Sequence, residues 1–149
     1  MNNRLKETCF DTAQNLLEKW NAGNHTRKLG LDLMFHCWYL LEEPPMHTGF
    51  DATRVEDLNL TKIFNEVHDS FVLEIRNDPE MLYTVGLMAQ LSPWALGDET
   101  LWSARGLEYL KLYKLLKPNG LDPKLFVGRG EYGKYFAHQL QHARAYLPT

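Results

Sequence analysis

The sequence predicts an all-α fold: about six helices in a compact antiparallel bundle or a short stack of helical hairpins. Leucine carries the first part of this prediction, with 25 Leu against five Val and two Ile. Helices accommodate leucine readily, whereas strands favour β-branched side chains. Apolar residues then recur at three- and four-residue steps, the period of a helix face. Proline-containing turns (Pro44-Pro45, Asp78-Pro79, Ser92-Pro93, Pro118-Asn119-Gly120) fall between those stretches rather than inside them.

The 149 residues predict one domain spanning 1–149. Seven Phe, seven Tyr and four Trp, within 44% apolar residues, supply enough hydrophobic surface for a core and exclude a disordered chain. No apolar run is long enough to span a bilayer. The N-terminus, Met1-Asn2-Asn3-Arg4-Leu5-Lys6-Glu7, lacks the apolar stretch of a signal peptide. Cys9 and Cys37 are too few for a disulfide framework. A cytoplasmic location is therefore expected, without membrane association.

The first helix is expected over residues 3–21, with Leu5, Cys9, Ala13, Leu16 and Trp20 forming one stripe that Phe10 and Leu17 widen. Gly23 stops it, because glycine takes a left-handed backbone without a Cβ clash. The second, over 27–43, is apolar in every direction, which marks a central, buried helix. Residues 44–58 form the longest irregular stretch, with Met46 and Phe50 placed to pin it to the body. The third helix, over 59–77, carries Leu60, Ile63, Phe64, Val67, Phe71 and Ile75 on one face. Asp78-Pro79 opens a fourth through Leu91 with an N-cap and a proline at the first helical position. The fifth spans 99–117 behind the Asp98 cap, and the sixth spans 131–146. Phe126-Val127 reads as a short extended piece.

Charge is uneven. Residues 1–104 carry a net −8 and residues 105–149 a net +5, within a total of −3. Part of the basic excess completes the fifth helix, which opens on Asp98-Glu99 and closes on Lys111, Lys114 and Lys117, complementing the helix dipole. The remainder allows an anionic ligand or RNA on the C-terminal third, although solvated helix faces are commonly charged and nucleic acid is the less favoured partner.

Gly128-Arg129-Gly130-Glu131-Tyr132-Gly133 spells G-x-G-x-x-G before a helix. A dinucleotide fold is not expected in this context, since no parallel sheet is predicted and only a short stretch follows for another strand and its acidic residue. Gly128, Arg129, Gly130 and Lys134 could still hold a phosphate or carboxylate on free helix-start amides, or the glycines could serve only the loop. His138 and His142 lie four apart, on one helix face. That face points away from the apolar stripe Tyr132, Phe136, Leu140, Ala143 and Leu147. His36 and His68 sit among apolar neighbours and read as hydrogen-bonded core residues, and both cysteines read as buried thiols.

Two resemblances follow. Trp102, Gly106 and Tyr109 share one face of the fifth helix, and Leu140, Ala143 and Pro148 sit near the C-terminus. Together they resemble fragments of the tetratricopeptide repeat, in which glycine between aromatics lets a second helix approach. Arg105 stands where that pattern has leucine, and no period recurs. The early histidine and late H-x-x-x-H look like the DinB family of metal-binding helical bundles. That likeness implies one divalent transition metal on His47 (or His36), His138 and His142, with thiol-transferase or hydrolase-like activity. The family's following His-Arg-Gly-Gln residues are replaced here by Ala143-Arg144-Ala145.

No catalytic constellation and no cofactor motif emerges. The favoured expectation is a non-catalytic module that binds a protein partner through an aromatic groove of Trp94, Trp102, Tyr109 and Tyr113, rimmed by Lys111 and Lys114. Taken singly, each of these aromatics is expected inside the core rather than in a groove, and self-association is left open.

Overall fold

A computed structural model describes residues 3–42 and 59–142, those before Cys9 by backbone alone. The described residues form seven α-helices and no strand: α1 Asn3–Asn21, α2 Arg27–Glu42, α3 Leu60–Ser70, α4 Val72–Ile75, α5 Pro79–Leu91, α6 Glu99–Leu116 and α7 Gly130–His142. Two 3-10 turns, Pro93–Leu96 and Pro123–Phe126, separate α5 from α6 and precede α7. The all-α class is as expected. No described helix is long and apolar enough to cross a membrane. The chain divides into two compact units, Met1–Ser70 and Phe71–Thr149.

In the first unit α2 packs against α1 and α3. The α1 stripe buries Cys9, Phe10, Ala13, Leu16 and Trp20. Gly23 ends the helix at φ 100°, and the Asn24 amide donates to the Lys19 carbonyl at 3.0 Å, satisfying a terminal acceptor. Thr26 caps α2 by accepting from the Leu29 amide at 3.3 Å. Ten of the 16 α2 residues are buried, on all sides of the helix. Cys37 and Trp38 are fully enclosed.

The second unit is built on the α5–α6 hairpin. Asp78 caps α5 and Asp98 caps α6, each carboxylate accepting from the amide three residues on. Gly86 lies against Tyr109 and Leu110, while Gly106 lies against Ala89 and Gln90. These pairings run in opposite directions along the chain, so the helices are antiparallel. Their approach is close enough that a Cβ on Gly106 would stand 2.8 Å from that of Ala89. The closely approaching helix expected at Gly106 is therefore α5.

Two stretches differ from expectation. The stretch 59–77 is two helices, because Phe71 leaves the helical region (φ −110°, ψ 8°). The preceding Ser70 hydroxyl donates to the Val67 carbonyl at 2.7 Å, competing with the backbone ladder. The apolar stripe continues through this break, with Ile75 buried, so hydrophobic period alone does not reveal it. Phe126 closes a 3-10 turn rather than an extended piece, with Val127 alone extended behind it. The described part of α7 ends at His142, so the expected continuation to residue 146 lies outside the described residues, as does the loop 44–58.

Candidate functional site

The glycine-rich loop sits against α5 within the second unit. Arg129 places its guanidinium 2.8 Å from the Glu80 carboxylate, with side chains only 16% and 4% exposed. The Tyr132 hydroxyl donates to the same carboxylate oxygen. Burial first, and then the Glu80 charge, pushes that hydroxyl well above the usual tyrosine range. The guanidinium also lies 4.9 Å from the centre of the Tyr132 ring. Arg129 is thus neutralised and held by its own chain, and Lys134 lies 3.4 Å from Glu131. A shallow pocket of about 240 Å³ does open beside Gly128, Arg129, Gly130 and Lys134. Both cations at its edge already have carboxylate neighbours.

The glycines of this loop have separate roles. Gly128 and Gly130 take positive φ values of 75° and 63°, which most side chains resist. Gly133 is helical, but a Cβ there would stand 2.1 Å from the Phe126 carbonyl oxygen. It lets α7 close directly on the preceding 3-10 turn, beneath the buried Phe126, Tyr132 and Phe136 rings.

The expected aromatic groove does not open as a groove. Trp102, Tyr109 and Tyr113 are 1%, 5% and 1% exposed, whereas Trp94 is 53% exposed. Tyr113 packs against Tyr83 with ring centroids 5.0 Å apart and planes inclined by 43°, and its hydroxyl accepts from the Leu121 amide at 2.9 Å. The close approach at Gly86 and Gly106 brings α5 over this face and makes it core. Lys111 and Lys114 are exposed on the opposite side of α6.

A different surface is open instead. Val72 and Arg76, from the α4 segment, line a cleft of about 310 Å³ with Leu101, Ala104, Arg105, Glu108 and the edge of Tyr109. Val72 is 46% exposed and Leu101 49%; the neighbouring Leu73 reaches 84%. Arg76 and Glu108 form a hydrogen-bonded ion pair across the cleft. Such exposed pairs contribute about 0–1 kcal/mol, so this one orients side chains more than it stabilises the fold. Arg105 lies 4.6 Å from the centre of the Trp102 ring, held by cation–π attraction to a core residue. The signal for this cleft was present in the sequence: Val72, Leu73 and Leu101 are apolar residues lying off the stripes that α3–α4 and α6 bury. Reading the stripes alone passes over them.

The histidines divide. His36 donates from Nδ1 to the Asp32 carbonyl at 2.8 Å, and the fully buried His68 pairs with Asp69 at 3.0 Å. Both are core residues, as expected, and both cysteines are buried. His138 and His142 are exposed on the outside of α7, with ring centroids 4.5 Å apart. His47 lies outside the described residues. Among the described residues no group of three His, Cys, Asp or Glu side chains is placed to hold a metal ion. Comparison of the chain with protein-family models, curated proteins and solved structures finds no match.

Proposed function

We infer that this chain is a non-catalytic, cytoplasmic helical module whose task is to bind a protein partner at the cleft bordered by α4 and α6. One observation carries the reading: Val72 and Leu101 hold large apolar side chains about half exposed at a cleft with a positioned arginine, and Leu73, next to Val72 in the chain, is more exposed still. Contiguous exposed apolar surface rimmed by polar residues is a mark of interaction sites. Arg105 is fixed over Trp102 and so loses little freedom on binding, which favours it as an anchor. With Arg76 and Glu108 neutralising one another, the cleft carries the remaining charge of Arg105. The partner chemistry this suits is a segment with an apolar anchor and a neighbouring carboxylate.

The test compares the wild-type chain with Leu101→Asp and Val72→Asp as baits in an extract of the source cells. Both positions are about half exposed, so the variants retain the helical circular dichroism of the parent. A stoichiometric partner held by the wild type should be weakened about tenfold or more by either substitution, the scale of a lost hot spot. A partner retained equally by all three proteins overturns the assignment to this cleft.

A further inference from the structure

The outer face of α7 carries a feature that partner binding at the cleft does not use. We propose that His138 and His142 form a bidentate surface site for a divalent first-row transition ion, zinc or copper. The sequence places the two imidazoles one helical turn apart, and the structure gives their relation: ring centroids 4.5 Å apart and planes inclined by 38°. Ligating nitrogens sit about 2.0–2.1 Å from such an ion. Two of them on one ion are therefore about 3 Å apart, which rings at this separation reach by side-chain rotation alone. Buried Tyr132 and Phe136 face inward from α7, and the histidine pair is carried on its exposed side. Because both histidines are exposed, an ion reaches them without the helix moving.

Ligand chemistry selects the class. Imidazole suits zinc, copper and nickel, whereas calcium and magnesium require oxygen ligands. Two imidazoles fill half of a zinc tetrahedron and water completes it, so the bound ion is exchangeable rather than structural. This site needs no third protein ligand and lies outside the core. It is thereby distinct from the closed three-histidine centre implied by the DinB resemblance.

Isothermal titration calorimetry of the full chain, purified without a histidine tag, tests the proposal with zinc and copper salts. One ion per chain is expected, with copper held more tightly than zinc. His138→Ala and His142→Ala should each weaken binding by about tenfold or more, the loss of a second ligand at high effective concentration. His138→Ala combined with Gln141→His keeps six histidines but sets two at adjacent helical positions, about 100° apart, where they cannot share an ion. That variant should bind as weakly as His138→Ala. Binding that survives in it at wild-type strength overturns the proposal, as does a wild-type chain that takes up neither ion. Nuclear magnetic resonance of the wild type gives a reading independent of substitution. Substoichiometric copper should broaden the ring signals of His138 and His142 first, and broadening that begins at other histidines counts against the pair.

Discussion

Tyr83, Tyr113 and Tyr132 show at the scale of single residues what burial does to an ionisable group. Each hydroxyl is pushed above the usual tyrosine value, in every case chiefly because the charged form would lose its water. For Tyr83 the neighbouring Tyr113 and Tyr135 add to the shift, and for Tyr132 the Glu80 carboxylate does. A raised value in the folded state means that the native protein holds its protons more tightly than the unfolded chain. The stability these groups contribute is therefore fully present below the unfolded value of about 10 and is lost as pH rises above it. In an alkaline titration these three should ionise later than a free tyrosine, so one step in the tyrosinate absorbance of the seven tyrosines should coincide with the loss of circular dichroism. Ionisation of these three in a still-helical protein would contradict their burial. Cys37 follows the same rule: burial raises its thiol, leaving almost no thiolate at neutral pH. Alkylation should label it only after denaturant is added, and prompt labelling of the native protein would show that α2 opens.

At the scale of elements, glycine decides where helices meet. Gly133→Ala would drive a methyl group to 2.1 Å from the Phe126 carbonyl oxygen, a backbone atom that cannot swing aside. Gly106→Ala meets the Ala89 methyl at 2.8 Å and the Gly86 carbonyl oxygen at 3.1 Å. Overpacking of this kind costs about 1–3 kcal/mol. Urea unfolding should place Gly106→Ala within that range and Gly133→Ala at its upper end or beyond. A neutral Gly133→Ala would show that α7 does not rest on the 3-10 turn. These glycines also show how far the sequence was legible. The ends of α1, α5 and α6 could be read, because Gly23, Asp78-Pro79 and Asp98 act through local backbone chemistry. The function of the G-x-G-x-x-G string could not. Close approach to the backbone is what such glycines permit, and the string does not say whether a phosphate or the chain's own carbonyl approaches. The break at Phe71 was hidden for a related reason: a serine hydroxyl turned back on the helix leaves the hydrophobic period intact.

At the scale of the whole molecule, each unit has a core of its own, and the second is tied by one buried ionic cluster. Glu80 on α5 accepts from Tyr132 on α7 and pairs with Arg129 in the loop before it, so the hairpin and the C-terminal helix share a single carboxylate. The aromatic residues that could have formed a surface instead surround this tie: Tyr83 meets Phe136 at 6.1 Å, and Phe126 meets Tyr132 at 5.8 Å. Composition could count these rings but could not turn them inward, because that depends on which helices the glycines allow to close. Removing one partner of a buried ion pair leaves the other charge uncompensated, at a cost of about 3–5 kcal/mol. Arg129 keeps a little solvent exposure, which places Glu80→Ala near the lower end of that range. All members of the cluster lie within Phe71–Thr149, so the cost belongs to that unit. A fragment of residues 71–149 should therefore be helical and unfold cooperatively in urea, and Glu80→Ala should destabilise it by the same amount as it destabilises the intact chain. Distant, independent sites add in this way to within about 0.5 kcal/mol. A fragment that lacks a cooperative transition, or in which the substitution has no effect, would show that the Glu80 cluster depends on residues before Phe71.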